Sequence, residues 1–208
     1  MLRKLLGDAH PSVAVNLSNI AFVEYAKGRH AEAIQLLQES LDISRKALGP
    51  EHPAVGARAT SLAYWLVEER RYTEAAPLVD EALAIRRKAL GSEHPQTAGT
   101  LTVLANLKLD TGRYAEARDL AAEARRILLL SLPPDSWQVG AAMNTEGAAL
   151  AKLADYAAAE KMLRDSLPLL GKAPIPGLEA KGRERLAQLD AARGRLDSQR
   201  AAEATSRE

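Results

Sequence analysis

The chain has 208 residues, a formal net charge of +1 from 28 Lys and Arg against 27 Asp and Glu, and no cysteine. So balanced a charge gives no support to nucleic acid or acidic membranes as targets. Without thiols there are no disulfides, no cysteine nucleophile and no cysteine-based zinc site. Hydrophobic residues reach 47% but aromatics only 4%, so the core must be made of Ala and Leu, both strong helix formers.

The first segment, "MLRKLLGDAH", has no apolar signal core, and the longest apolar run, "ILLLSL" at 127–132, is too short to cross a bilayer. The expectation is a soluble, cytoplasmic protein with no membrane contact. "MLRKLLG" matches "SRKALG" ending at Gly49 and "RRKALG" ending at Gly91. It therefore reads as the last turn of a preceding unit, a partial repeat over 1–6 whose body is missing. Its apolar Leu2, Leu5 and Leu6 predict an edge that pairs weakly with a second copy.

From there a period of 42 governs the chain. His10-Pro11, His52-Pro53 and His94-Pro95 are 42 apart, and the next step lands on Ser136-Trp137. A second column, Ala33, Ala75, Ala117 and Ala159, keeps the same interval. Two unlinked columns holding one period predict a repeat array with units at about 7–47, 48–89, 90–131 and 132–173. Each unit reads as helix, turn, helix. Pro11, Pro53 and Pro95 suit a first helical turn, where a missing N–H costs little. Val13, Leu17, Ile20 and Ala21, then Val55, Ala59, Leu62 and Ala63, follow at helical spacing. Gly28 and Gly112 stop the first helices, and Ala33, Leu37 and Leu41 restart a second one that runs to Leu-Gly. "PIPG" at 174–177 then breaks the register. A capping helix over 174–200 follows, with Leu178, Leu186 and Leu189 on one side and Lys181, Arg183, Glu184 and Arg185 on its polar faces. The tail, 201–208, is expected to fray.

"GRYAEARDL", "RYTEAAPLVDEALAIRRKALG" and "EHP" resemble the tetratricopeptide repeat, in the 42-residue variety found in kinesin light chains and many bacterial proteins. The resemblance covers about Leu2 to Lys172; a HEAT-type array has a similar period but does not explain the Gly-Arg-Tyr-x-Glu-Ala turn. It implies an all-α fold, a right-handed α-solenoid. Ala21, Ala63, Ala105 and Gly147, with Ala33, Ala75, Ala117 and Ala159, take the family's close-packing positions. The resemblance also places Ser18, Thr60, Thr102 and Asn144, and Phe22, Tyr64, Asn106 and Ala148, on the concave face. Asn19 and Tyr25 flank them. These two inner columns hold no Lys or Arg, which argues against the carboxylate clamp of co-chaperone relatives. Phe22, Tyr25 and Tyr64 offer aromatic platforms instead, while Arg58, Asn19 and Asn106 offer polar contacts. Trp65 reads as helix packing; Tyr64 fits either role.

The three histidines, with Asp8, Glu51 and Glu93, raise the question of a metal. Ligands must converge within about 2.0–2.2 Å of one ion, whereas stacked helix pairs hold equivalent points about 10 Å apart. They read as turn and helix-entry residues, with no metal and no cofactor. No phosphate loop, Gly-x-Ser-x-Gly or His-Glu-x-x-His is present, so no catalytic residue is assigned and the chain is not read as an enzyme. The expected function is a scaffold that binds a protein or peptide segment in its concave groove. The alternative is a regulatory or substrate-docking region of a bacterial signalling enzyme such as a serine/threonine kinase, whose repeat tails end in a similar way.

Overall fold

A computed structural model describes residues 7–205, apart from the side chains of Asp197 and of 199–205. Among these residues all regular structure is helical. The first helices of the four pairs are α1 (Pro11–Ala26), α3 (Pro53–Glu68), α5 (Pro95–Asp110) and α7 (Trp137–Lys152). Their partners are α2 (His30–Leu48), α4 (Tyr72–Leu90), α6 (Tyr114–Ser131) and α8 (Tyr156–Leu170), and α9 (Leu178–Thr205) closes the chain. No helix among the described residues is long and apolar enough to cross a membrane.

The recurring His-Pro is a helix start. His10, His52 and His94 are N-caps whose Nδ1 accepts the backbone N–H of Ser12, Ala54 and Gln96, each at 3.1 Å. Each cap satisfies one of the N–H groups that a helix leaves open at its first turn. In the fourth copy Ser136 stands at this place without a side-chain cap. Inside each pair the turn needs a left-handed residue at one position. Gly28 (φ 81°) and Gly112 (φ 81°) supply it, and Arg70 (φ 58°) and Ala154 (φ 66°) adopt it in the other two copies.

Both small-residue columns are buried throughout: Ala21, Ala63, Ala105, Ala33, Ala75, Ala117 and Ala159 are fully covered, and Gly147 is buried with them. The fourth pair shows why. A Cβ built on Gly147 would lie 2.9 Å from Leu163 Cγ and 3.2 Å from the Ala159 carbonyl oxygen. The two columns face each other where the helices of a pair cross, and short side chains let the backbones approach.

Successive pairs stack so that α3 touches α5 and α5 touches α7, while successive second helices make no comparable contact. The ribbon therefore curves with the first helices inside, an all-α solenoid. At its start, Ile20 and Val23 are 42% and 48% exposed. Forty-two residues on, their counterparts Leu62 and Trp65 are buried, and Trp65 stacks on Tyr25 of the preceding pair. Leu2, Leu5 and Leu6, with the partial repeat over 1–6, lie outside the described residues. At the other end, α9 continues to Thr205, into the stretch 201–208 that was expected to fray.

Candidate functional site

The concave side is built from α1, α3, α5, α7 and the first half of α9. The ten residues assigned to it from sequence divide into three groups. Ser18 and Arg58 are spent on helix packing. Ser18 Oγ donates to the Ala14 carbonyl at 3.2 Å and lies 2.8 Å from Ser40 Oγ. Arg58 donates through Nε to Ser40 Oγ and through Nη1 to the Ala54 carbonyl, both at 3.0 Å. Burial lowers the pKa of this guanidinium.

Tyr25 is sandwiched. His30 stacks on it at 4.2 Å between ring centroids and Trp65 at 4.6 Å, with interplanar angles of 11° and 10°. With both ring faces covered it is a packing element of the α1–α3 contact, where the sequence suggested an open platform. Burial, with Glu68 and Glu69 nearby, pushes its hydroxyl up to about 12. Trp65 is buried, as packing requires. Tyr64 is half-buried, and burial followed by the Glu68 charge raises its pKa.

The third group meets on one concave surface. Phe22, Thr60, Tyr64, Thr102, Asn106 and Asn144 border a cavity of about 280 Å³, and Asn19 lies exposed one turn from Phe22 on α1. Thr60 and Thr102 donate their hydroxyls to the Gly56 and Ala98 carbonyls of their own helices, at 2.8 and 3.1 Å, and the two asparagines are held from α9. Arg185 of α9 reaches in and donates to Asn106 Oδ1 at 2.7 Å and Asn144 Oδ1 at 2.9 Å. Asn106 Nδ2 donates to the Thr102 carbonyl at 2.9 Å, and Asn144 Nδ2 to Ser166 Oγ at 3.1 Å. One turn earlier, Lys181 Nζ bonds Glu68 Oε1 at 2.5 Å, joining α9 to the end of α3. The polar face of the cap was expected to point to solvent. Arg183 and Glu184 do so, but Lys181 and Arg185 turn into the groove and divide it. A second, polar cavity of about 890 Å³ lies on the far side, bordered by Asp110, Glu184 and Gln188.

The tetratricopeptide repeat family profile matches residues 12–76 and 57–129, together more than half of the chain. The chain belongs to the tetratricopeptide repeat family. Its fold is similar to a kinesin light chain protein of Podosopora anserina with nearly identical TPR-like repeats, at 24% identity over 95% of this chain and 98% of that one (TM-score 0.68). It is also similar to BtubC (BKLC) of P. vanneervenii, at 19% identity over 80% of this chain and 68% of that one (TM-score 0.66). No curated protein matches the sequence.

In this tetratricopeptide array the cations of the groove come from outside the inner columns. Besides Lys181 and Arg185, Arg86 on α4 borders the smaller cavity. It is only 8% exposed and donates through Nη1 to Thr100 Oγ1 at 2.9 Å and to the Gln96 carbonyl. Its Nε is buried without a hydrogen bond, and burial alone pushes its pKa down to about 10. Arg86 is not among the residues that the sequence assigned to the groove. Its column is an inward one, because Ser44, Leu128 and Leu170, at 42-residue steps, are all buried. Lys181 and Arg185 follow the register break, so no column pointed to them. Among the described residues no three His, Asp or Glu side chains cluster as a metal site.

Proposed function

We propose that the chain is a protein-interaction scaffold whose partner segment lies along the open N-terminal part of the concave face. The observation that carries this reading is Phe22. An aromatic side chain at 38% exposure stands on the inner helix row, beside exposed Asn19 and Ser61, where nothing in the fold requires an aromatic ring. Aromatic residues dominate interface energetics more often than other types. Rigid helices hold these side chains at fixed spacing, so a bound segment supplies most of the ordering cost.

The test starts from a pull-down and mass spectrometry in the native cell, followed by calorimetry with the recovered partner. Phe22→Ala combined with Asn19→Ala should weaken binding by at least about 2 kcal/mol, the usual hot-spot threshold. Asp80→Ala and Arg87→Ala, exposed on α4, should leave it unchanged. The reverse pattern would sink the groove reading. Arg86→Ala does not serve as an outer control, because Arg86 is buried.

A second contact follows from the exposed Ile20 and Val23. They occupy columns that are buried in the following copies, so weak self-association through the N-terminal edge of the array is part of the same proposal. Ile20→Glu with Val23→Glu should abolish any concentration dependence in sedimentation.

A further inference from the structure

The smaller cavity has a composition that partner capture does not call for. Its walls are mainly apolar, with Trp65, Val103, Leu128, Trp137 and Leu178 among them. Three cations, Arg86, Lys181 and Arg185, also border it, and no Asp or Glu does. Lys181 is answered by Glu68, whereas the hydrogen bonds of Arg86 and Arg185 all end on neutral oxygens.

A guanidinium taken out of water without a counter-charge is costly. Arg86 bears that cost, since its Nε has no acceptor, whereas Arg185 lies in the field of Asp110, Glu68 and Glu184. Removing its charge in favour of an apolar side chain of similar length would relieve the protein. A bound anion would relieve it too, and the apolar walls would strengthen the attraction by excluding water.

Shape limits the class of ligand. The bonds from Lys181 to Glu68 and from Arg185 to Asn106 and Asn144 close the groove on one side, so a chain running straight through is blocked. Thr100, which holds Arg86, and Asn106, which holds Arg185, are six residues apart on α5, or about 9 Å at helical rise. A cavity of about 280 Å³ lies at the small end of the range for organic ligands.

We propose that this compartment is a binding site for a compact organic acid, an apolar body carrying one anionic group, with Arg86 receiving the anion and the α5, α7 and α9 walls receiving the body. The compartment adjoins the partner surface and shares Phe22 and Ser61 with it, but its test needs no partner.

The probes are 1-anilinonaphthalene-8-sulfonate and its uncharged counterpart N-phenyl-1-naphthylamine, which share one aromatic body and differ in the sulfonate. Both are titrated by fluorescence into the full chain. The sulfonate should bind at least about tenfold more tightly than the neutral amine. Arg86→Met should erase that preference while melting at or above the wild-type temperature, and Arg86→Lys should retain much of it. Gly99 borders the compartment on α5, and a Cβ built there meets nothing within 4 Å. Gly99→Leu should therefore fill the space and abolish binding of both probes with the helix content intact. Equal affinity for the two probes in the wild type would overturn the proposal. So would sulfonate binding that survives Gly99→Leu, because the probe would then sit elsewhere, for instance on exposed Ile20 and Val23.

Discussion

His52 accepts the Ala54 N–H at 3.1 Å, and this one bond explains why an imidazole recurs before α1, α3 and α5. Losing an N-cap costs about 0.5–2 kcal/mol, so His52→Ala should lower the melting temperature. His52→Asp, which offers an oxygen to the same N–H, should restore it. Thermal melts of the two variants decide whether the imidazole is wanted as a cap or for some other property. The turn inside each pair gives a change of opposite sign. Arg70 and Ala154 hold φ of 58° and 66°, where the other two copies use Gly. The left-handed region costs an L-residue about 1–2 kcal/mol, and Gly gives back about 0.5–1 kcal/mol in chain entropy. Ala154→Gly should thus stabilise by up to about 1 kcal/mol, read from the urea midpoint at unchanged slope. A loss on making this substitution would mean that the turn geometry is not what holds the pair.

At the scale of the element, the close crossing inside a pair is the most demanding feature. Ala63 is fully buried on α3, in the column where Gly147 shows how little room there is. Ala63→Leu should cost about 1–3 kcal/mol by overpacking, whereas the same change at exposed Ala84 on α4 should not. Such columns were legible in the sequence because one period repeats the same local problem four times. Helix starts, turns and both small-residue columns could each be checked against three other copies. The concave site was legible only in part. Period and family geometry placed Phe22, Tyr64, Thr60, Thr102, Asn106 and Asn144 together, yet gave no sign that two of the asparagines are held by Arg185. That contact joins residues 79 apart across a register break, and no repeat predicts it. Tyr25 was misjudged for a related reason. Its ring is covered by His30 from its own pair and Trp65 from the next, a stack that columns read one at a time cannot reveal.

For the whole molecule, the question is whether α9 is a loose cap or a seated wall. A solenoid is held by neighbour contacts, and each pair normally feels only the next. Here α9 also touches the end of α3 through Lys181 and α5 through Arg185, so damage at the C-terminus should be felt two pairs away. Two glycines of the same helix separate the possibilities by sign. In an exposed helix, replacing Gly by Ala stabilises by about 0.5–1 kcal/mol. Gly194 has nothing within 4 Å of an added Cβ, so Gly194→Ala should show that gain. Gly182 is buried, and its Cβ would fall 2.6 Å from Leu170 Cδ1, 3.0 Å from Leu167 Cδ2 and 3.2 Å from Asn144 Nδ2. Leu170 is itself only 2% exposed and has little room to yield. The overpacking cost of about 1–3 kcal/mol then exceeds the helix gain, and Gly182→Ala should destabilise on balance. Because Asn144 is also the acceptor for Arg185, the change should loosen that bond and with it the hold on Asn106. Amide exchange should therefore quicken in α7 and α5 while α1 and α2 keep wild-type protection. If Gly182→Ala stabilises as Gly194→Ala does, with exchange unchanged in α5, then α9 is not seated in the groove and the walled compartment does not exist in solution.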